Sequence, residues 1–207
     1  ADKEDGTEYQ LTKDGEPITG SDSIFISKSI GTGASDSESL KISENIPVLT
    51  VTKGLMDTSE GKLLTYPDVW RQKLESMGKK LSLNAIGGPC TSYELVVHDQ
   101  TEVAFCGGDI KTLAYLKELM QTDYYHISIT TDVMGIESAV ALKNGYALGI
   151  ALTIGLNQKI FRNDELHFNS QAAVFGQATK EMYKLLQFQN ALTLDNLCVG
   201  VGDLYVT

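Results

Sequence analysis

Three apolar runs in the first half of the chain each stop at glycine: "PVLTVTKG" (47–54), "LSLNAIGGP" (81–89) and "EVAFCGG" (102–108). A short apolar run bounded by glycine reads as a buried strand that meets a turn. Stretches with helical spacing lie between them. In "YPDVWRQKLESMG" (66–78), Val69, Trp70, Leu74 and Met77 share a face and Gly78 stops the helix. "DIKTLAYLKELMQT" (109–122) opens on Asp109, placed to cap an amphipathic helix. "HISITTD" (126–132) reads as a further strand and "SIFIS" (23–27) as a short one. Strand, glycine turn and helix in alternation define an α/β fold with a largely parallel sheet. The glycine-rich strand ends are where such a sheet binds ligands.

After Asp132 the pattern changes. Residues 133–156 and 165–188 are long helical stretches, and a short helix is expected from Thr193. No strand signal follows, so we expect an all-helical second domain over 131–207, with the boundary near residue 130. Residues 1–23 are polar and read as a lead-in or insertion, and 31–45 as loop with a short helix.

Composition narrows the function classes. The 207 residues are 42% hydrophobic and 21% charged, ordinary values for a globular chain able to bury a core. The formal net charge of −10 repels nucleic acid and anionic membrane, so neither is an expected partner. A phosphate substrate would need local positive charge. Only two arginines occur, Arg71 and Arg162, so lysines would carry it. Lys143 and Asn144 interrupt the longest apolar run before it reaches the ~20 residues of a membrane helix. Cys90, Cys106 and Cys198 lack metal-ligand or disulfide-framework spacing, and a reducing cytoplasm is the expected compartment. His98, His126 and His167 show no metal-ligand spacing either, so no metal is expected. The polar, acidic N-terminus does not read as a signal peptide. The chain begins at Ala1 rather than Met, which suggests processing or an internal start.

Four positions could carry chemistry. Lys143 stands in "GIESAVALKNGYALGIALTIG" (135–155), among Ala, Val, Leu, Ile and Gly. An unpaired ammonium in such surroundings is costly, so it either snorkels to the surface or faces a carboxylate or a cavity as an acid/base. Asp203, in "GVGDLYVT" (200–207), either caps a turn or pairs with Lys143. Lys53 stands at a strand end before glycine, a ligand-edge position or a solvent one. "GGPCTSYE" (87–94) is either a plain strand-to-helix turn or a place where backbone approaches a ligand. "GTGAS" (31–35) is not a dinucleotide fingerprint, because Asp36 stands where the third glycine is needed.

Together "VTKGL", "GGPCTSYE", the 116–156 stretch with "ALKN", and "GVGDLYVT" resemble the NAD-dependent glycerol-3-phosphate dehydrogenase family over residues 47–207. The resemblance implies a Rossmann-like dinucleotide-binding domain, of which 1–130 would be the remaining part, then a helical catalytic domain. It implies interconversion of dihydroxyacetone phosphate and sn-glycerol 3-phosphate with NAD, in a cytoplasmic homodimer. Lys143 resembles the catalytic lysine, Asp203 the carboxylate that holds it, and Lys53 a second substrate lysine. Asn144 and Thr207 would hydrogen-bond substrate. Gly88, Pro89, Ser92 and Glu94 match the segment near the cofactor. There Cys90 replaces a usual Asn and Ser92 a usual Ala. The family's G-x-G-x-x-G and its G-x-R-N segment have no counterpart in this sequence, which suggests an internal portion of a dehydrogenase. Two alternatives stay open. One is a related two-domain hydroxyacid or sugar-phosphate dehydrogenase, which the "GVGDLYVT" motif disfavours. The other is a non-catalytic fragment or a subunit completed by a partner chain.

Overall fold

The computed structural model describes residues 42–162 and 165–207 in full, with the backbone of short strands at 12–13, 16–17 and 25–27. Most of the polar lead-in, the 31–35 turn and the helix expected near it lie outside the described residues.

The strands are β1 (Thr12–Lys13), β2 (Glu16–Pro17), β3 (Phe25–Ser27), β4 (Val48–Thr50), β5 (Leu55–Asp57), β6 (Leu63–Thr65), β7 (Leu83–Gly87), β8 (Thr101–Gly107) and β9 (Tyr125–Thr130). The helices are α1 (Tyr66–Ser76), α2 (Ser92–Val96), α3 (Ile110–Met120), α4 (Val133–Ala141), α5 (Lys143–Phe161), α6 (Phe168–Phe188) and α7 (Leu194–Tyr205). The main sheet has the order β3-β4-β7-β8-β9. All its neighbours are parallel except β7 and β8, which pair antiparallel. β4 and β7 therefore end at one edge of the sheet, and β9 ends at the other.

Alternation places the β8 side chains on two faces, both covered. Val103 and Phe105 join Leu49 and Ile127 against Leu113 and Leu116 of α3. Ala104 and Cys106 join Ala85 against Ile136 of α4. Trp70 and Leu74 of α1 cover Val48 and Leu83. Asp109 caps α3 as expected, accepting from the amides of Lys111 and Thr112. Thr65 caps α1, with Pro67 in the first turn, where a missing N–H costs nothing.

The hairpin of β5 and β6 was not among the expected elements. Its loop closes through Gly61, at φ 74°, and through hydrogen bonds between Thr58 and Lys62. The single helix expected over 133–156 is two helices meeting at Leu142. α4 is buried from Gly135 to Val140, whereas no residue of α5 is. By length and composition alone, 133–161 would suffice to cross a membrane. Its first third packs against β7, β8 and α7 inside the protein. Leu148, Leu152, Leu156 and Ile160 of α5 form an exposed stripe at every fourth position.

Candidate active site

Asp132 lies at the sheet edge where β9 ends. From there α4 crosses the sheet face towards the edge where β4 and β7 end. α7 takes the same course beside it. At their starts, Asn196 Nδ2 donates to Asp132 Oδ2 at 2.7 Å, and Asp132 Oδ1 accepts from the Gly135 amide at 2.9 Å. Midway, a Cβ on Gly200 would stand 2.5 Å from Met182 Sδ and 2.9 Å from the Ala139 Cβ. Gly87, ending β7, admits α4 as closely, because a Cβ there would stand 2.4 Å from Ile136. Glycine at these contacts lets the elements touch without a side chain between them. Parallel courses bring the end of "ALKN" and the end of "GVGD" to one place.

That place holds two cations on one carboxylate. Lys143 Nζ lies 2.5 Å from Asp203 Oδ1, and Lys53 Nζ lies 2.5 Å from Asp203 Oδ2. Lys53 Nζ also donates to the Gly88 carbonyl at 3.1 Å. Asp203 is 1% exposed, against 15% for Lys143 and 27% for Lys53. The cluster thus carries a net positive charge in a chain that is acidic overall, a local site that draws an anion. Burial pushes the Lys53 ammonium below its ordinary value. Asp203 opposes that shift and Lys143 adds to it.

Lys143, Lys53 and Asp203 are brought together, with Gly88 beside them. Lys143 is not on a buried helix, as its neighbours suggested. It opens α5 just past the break at Leu142, and the break lets its side chain leave the core. Asn144 is exposed next to it. The Thr207 hydroxyl donates to the Asp203 backbone carbonyl at 2.7 Å. Gly88 has φ 121°, and a Cβ there would press on the β8 backbone, 3.2 Å from Val103 Cα. Pro89 lies beside Gly202 of α7. Ser92 is exposed at the start of α2, while the Thr91 hydroxyl donates to the half-buried Glu94 carboxylate. Burial and Asp203 push the exposed Cys90 thiol up, against the pull of Lys53.

Sequence reasoning missed Glu137. It is fully buried in α4, with no side-chain partner for its carboxylate. Burial pushes its carboxyl up to about 8, with the nearby Gly54 amide and Lys53 pulling it down. The signal was available: like Lys143, it is a charge in an apolar run.

The Gly88 turn is bare backbone tied to Lys53 through its carbonyl. No pyrophosphate cradle is found among the described residues.

The fold is that of an α/β chain whose helical C-terminal stretch returns a lysine and a carboxylate to the sheet edge. Residues 132–207 match the family model for the NAD-dependent glycerol-3-phosphate dehydrogenase C-terminus. A relative from Archaeoglobus fulgidus, named NADP(+)-dependent glycerol-3-phosphate dehydrogenase, is 30% identical over 166 residues, covering 77% of this chain and 46% of that protein. One from Enterococcus faecalis, named glycerol-3-phosphate dehydrogenase [NAD(P)+], is 33% identical over 131 residues, 62% of this chain and 36% of that protein. The chain thus spans about half the length, or less, of the curated relatives it matches. Among solved structures, a glycerol-3-phosphate dehydrogenase from Coxiella burnetii superposes with a TM-score of 0.65 at 18% identity, over 88% of this chain and 52% of that one. The Plasmodium falciparum glycerol-3-phosphate dehydrogenase gives 0.66 at 20%, over 84% and 45%. These two show the fold. Residues 132–207 thus match the C-terminal region of the NAD-dependent glycerol-3-phosphate dehydrogenase family.

Proposed function

We propose that the protein carrying this chain interconverts dihydroxyacetone phosphate and sn-glycerol 3-phosphate with a nicotinamide dinucleotide, as an enzyme of the cytoplasm. Residues 131–207 are then the helical catalytic domain and 1–130 part of the dinucleotide-binding one. The observation that carries this reading is the grip of both Lys143 and Lys53 on Asp203 at the edge where β4 and β7 end.

The cofactor, when bound, supplies or accepts the hydride. Lys143 Nζ gives its proton to the carbonyl oxygen as that oxygen gains charge, and takes it back in the reverse direction. Its partial exposure lets water restore the proton. Asp203 keeps Lys143 aimed and charged. Lys53 adds a second positive charge for the anionic substrate, and its bond to the Gly88 carbonyl ties it to the segment near the cofactor. Gly88, Pro89, Ser92 and Glu94 would lie along that segment. Asn144, exposed beside Lys143, has its amide available for a substrate hydroxyl. The Thr207 oxygen can still accept a hydrogen bond while its hydrogen goes to Asp203. The relatives' names span NADP(+) and NAD(P)+, and NAD is the cofactor we assign. A homodimer is the expected assembly.

The test is oxidation of NADH by the full-length protein on addition of dihydroxyacetone phosphate, with Lys143→Met alongside. Turnover lost in the variant supports the reading. Turnover with a 2-hydroxyacid substrate instead would favour a related dehydrogenase.

A further inference from the structure

We infer that Asn196 is a positioning residue for Lys143 and Asp203: its side-chain amide, bonded to Asp132, fixes how far α7 stands along α4 and so brings Asp203 onto Lys143. The inference rests on the proposed function only where turnover is concerned.

The geometry carries it. Asn196 is 2% exposed, in the first turn of α7. Thr193 caps that turn by accepting from the Asn196 backbone amide at 3.0 Å, which leaves the side chain to reach beyond its own helix. Both of its amide hydrogens are used. One goes to Asp132 Oδ2 at 2.7 Å and the other to the Ala191 carbonyl at 2.8 Å. Asp132 in turn caps α4 through the Gly135 amide at 2.9 Å. One side chain therefore joins the start of α7, the chain leading into it and the cap of α4. A Cβ on Gly135 would stand 2.1 Å from Asn196 Nδ2 and 2.3 Å from Asp132 Oδ2, so the amide sits directly on the first turn of α4. A hydrogen bond to a carboxylate, shielded from water, is stronger than a neutral one.

Helix rise carries the effect of that bond to the site. α4 and α7 leave it in the same direction. Gly135 to Lys143 is eight residues, about 12 Å of rise, and Asn196 to Asp203 is seven, about 10.5 Å. The two ends arrive nearly level, and Lys143 Nζ meets Asp203 Oδ1 at 2.5 Å. Midway, Gly200 lies on Ala139. That contact sets how near the helices lie, but a glycine offers no side chain to lock α7 lengthwise. A slip of one residue's rise, about 1.5 Å, is larger than the whole working range of a hydrogen bond.

The experiment compares the full-length protein with Asn196→Ala, both assayed where urea curves show them folded. KM and kcat are measured with dihydroxyacetone phosphate and NADH. The Lys143 ammonium is observed by 15N NMR and assigned with Lys143→Met; its signal is sharp while Asp203 shields the protons from exchange with water. We expect kcat to fall by at least about tenfold, a 1 Å misplacement costing up to about 10²-fold. KM should change little, because both lysines and Asp203 remain to hold the anion. The Lys143 signal should broaden in the variant. In a Lys143→Met background the same replacement should cost no further rate. A merely structural residue would lower the urea midpoint in both backgrounds and leave kcat and the Lys143 signal alone. A folded Asn196→Ala with the wild-type kcat, or a Lys143 signal alike in both proteins, overturns the inference. If neither protein turns over but the Lys143 difference persists, the proposed function falls and the positioning stands. If Asn196→Ala does not fold, Asp132→Asn takes its place. It keeps an oxygen for the cap of α4 and turns an amide against the Asn196 amide, and the same outcomes decide.

Discussion

Lys53 Nζ and Asp203 Oδ2 lie 2.5 Å apart although 150 residues of chain separate them. The bond joins the loop after β4 to the end of α7, the sheet to the helical stretch. It also occupies the oxygen that Lys143 leaves free, so one buried carboxylate answers to both parts of the fold.

Replacing Asp203 with Asn should therefore damage both structure and activity. Two ammoniums would face each other with no anion between them. Removing one partner of a buried ion pair costs about 3–5 kcal/mol, an upper limit here because both lysines reach solvent. Urea denaturation should show a clear loss of stability, and turnover should fall with it.

Lys143→Met should separate those effects. Asp203 keeps Lys53, so no carboxylate is stranded. Turnover should fall by about 10²–10⁴-fold, the usual worth of a general acid. The thermal midpoint should move little. Steady-state kinetics and calorimetry on one preparation check both.

Gly200→Ala tests how the two motifs are brought together. The added methyl would meet Met182 Sδ, the Ala139 Cβ and, at 3.0 Å, the Ala139 carbonyl oxygen. Met182 can yield, but backbone cannot. Overpacking of this kind costs about 1–3 kcal/mol, while Ala gains up to about 1 kcal/mol in helix propensity. We expect net destabilisation in urea and a lower rate, because α4 and α7 must part to admit the methyl.

Glu137 gives stability a pH dependence of definite sign. Its carboxyl is raised to about 8 in the folded protein, against about 4.3 unfolded. Below the unfolded value both states hold the proton and its contribution is fully present. Between the two values only the folded state holds it, so that contribution falls as pH rises and is lost through the folded value. Glu137→Gln should thus gain stability relative to wild type from mildly acid to mildly alkaline pH. Calorimetric midpoints across that range, compared between the two proteins, check it.

The strands β4, β7, β8 and β9 and the helices α1, α3 and α6 were legible because each has the periodicity of a buried face. The direction of β8 was less so. The helix between Gly87 and Thr101, Ser92–Val96, is a single turn, too short to run back along the sheet, and β8 starts where β7 ends. The break at Leu142 was hidden because apolar residues run through it. At the site, Lys143, Lys53 and Asp203 stood out as charges in apolar or glycine-rich runs. That Asp203 pairs with Lys143 was one of two readings of the residues; that Lys53 shares the same carboxylate was not readable, since it depends on α4 and α7 crossing the sheet side by side. Glu137 carries the same signal as Lys143, a charge in an apolar run.

The most direct measurement is the rate of NADH oxidation by the full-length protein with dihydroxyacetone phosphate, wild type against Lys143→Met. The account expects turnover in the wild type and its near-complete loss in a variant that still folds. A folded variant that keeps most of the rate would contradict it.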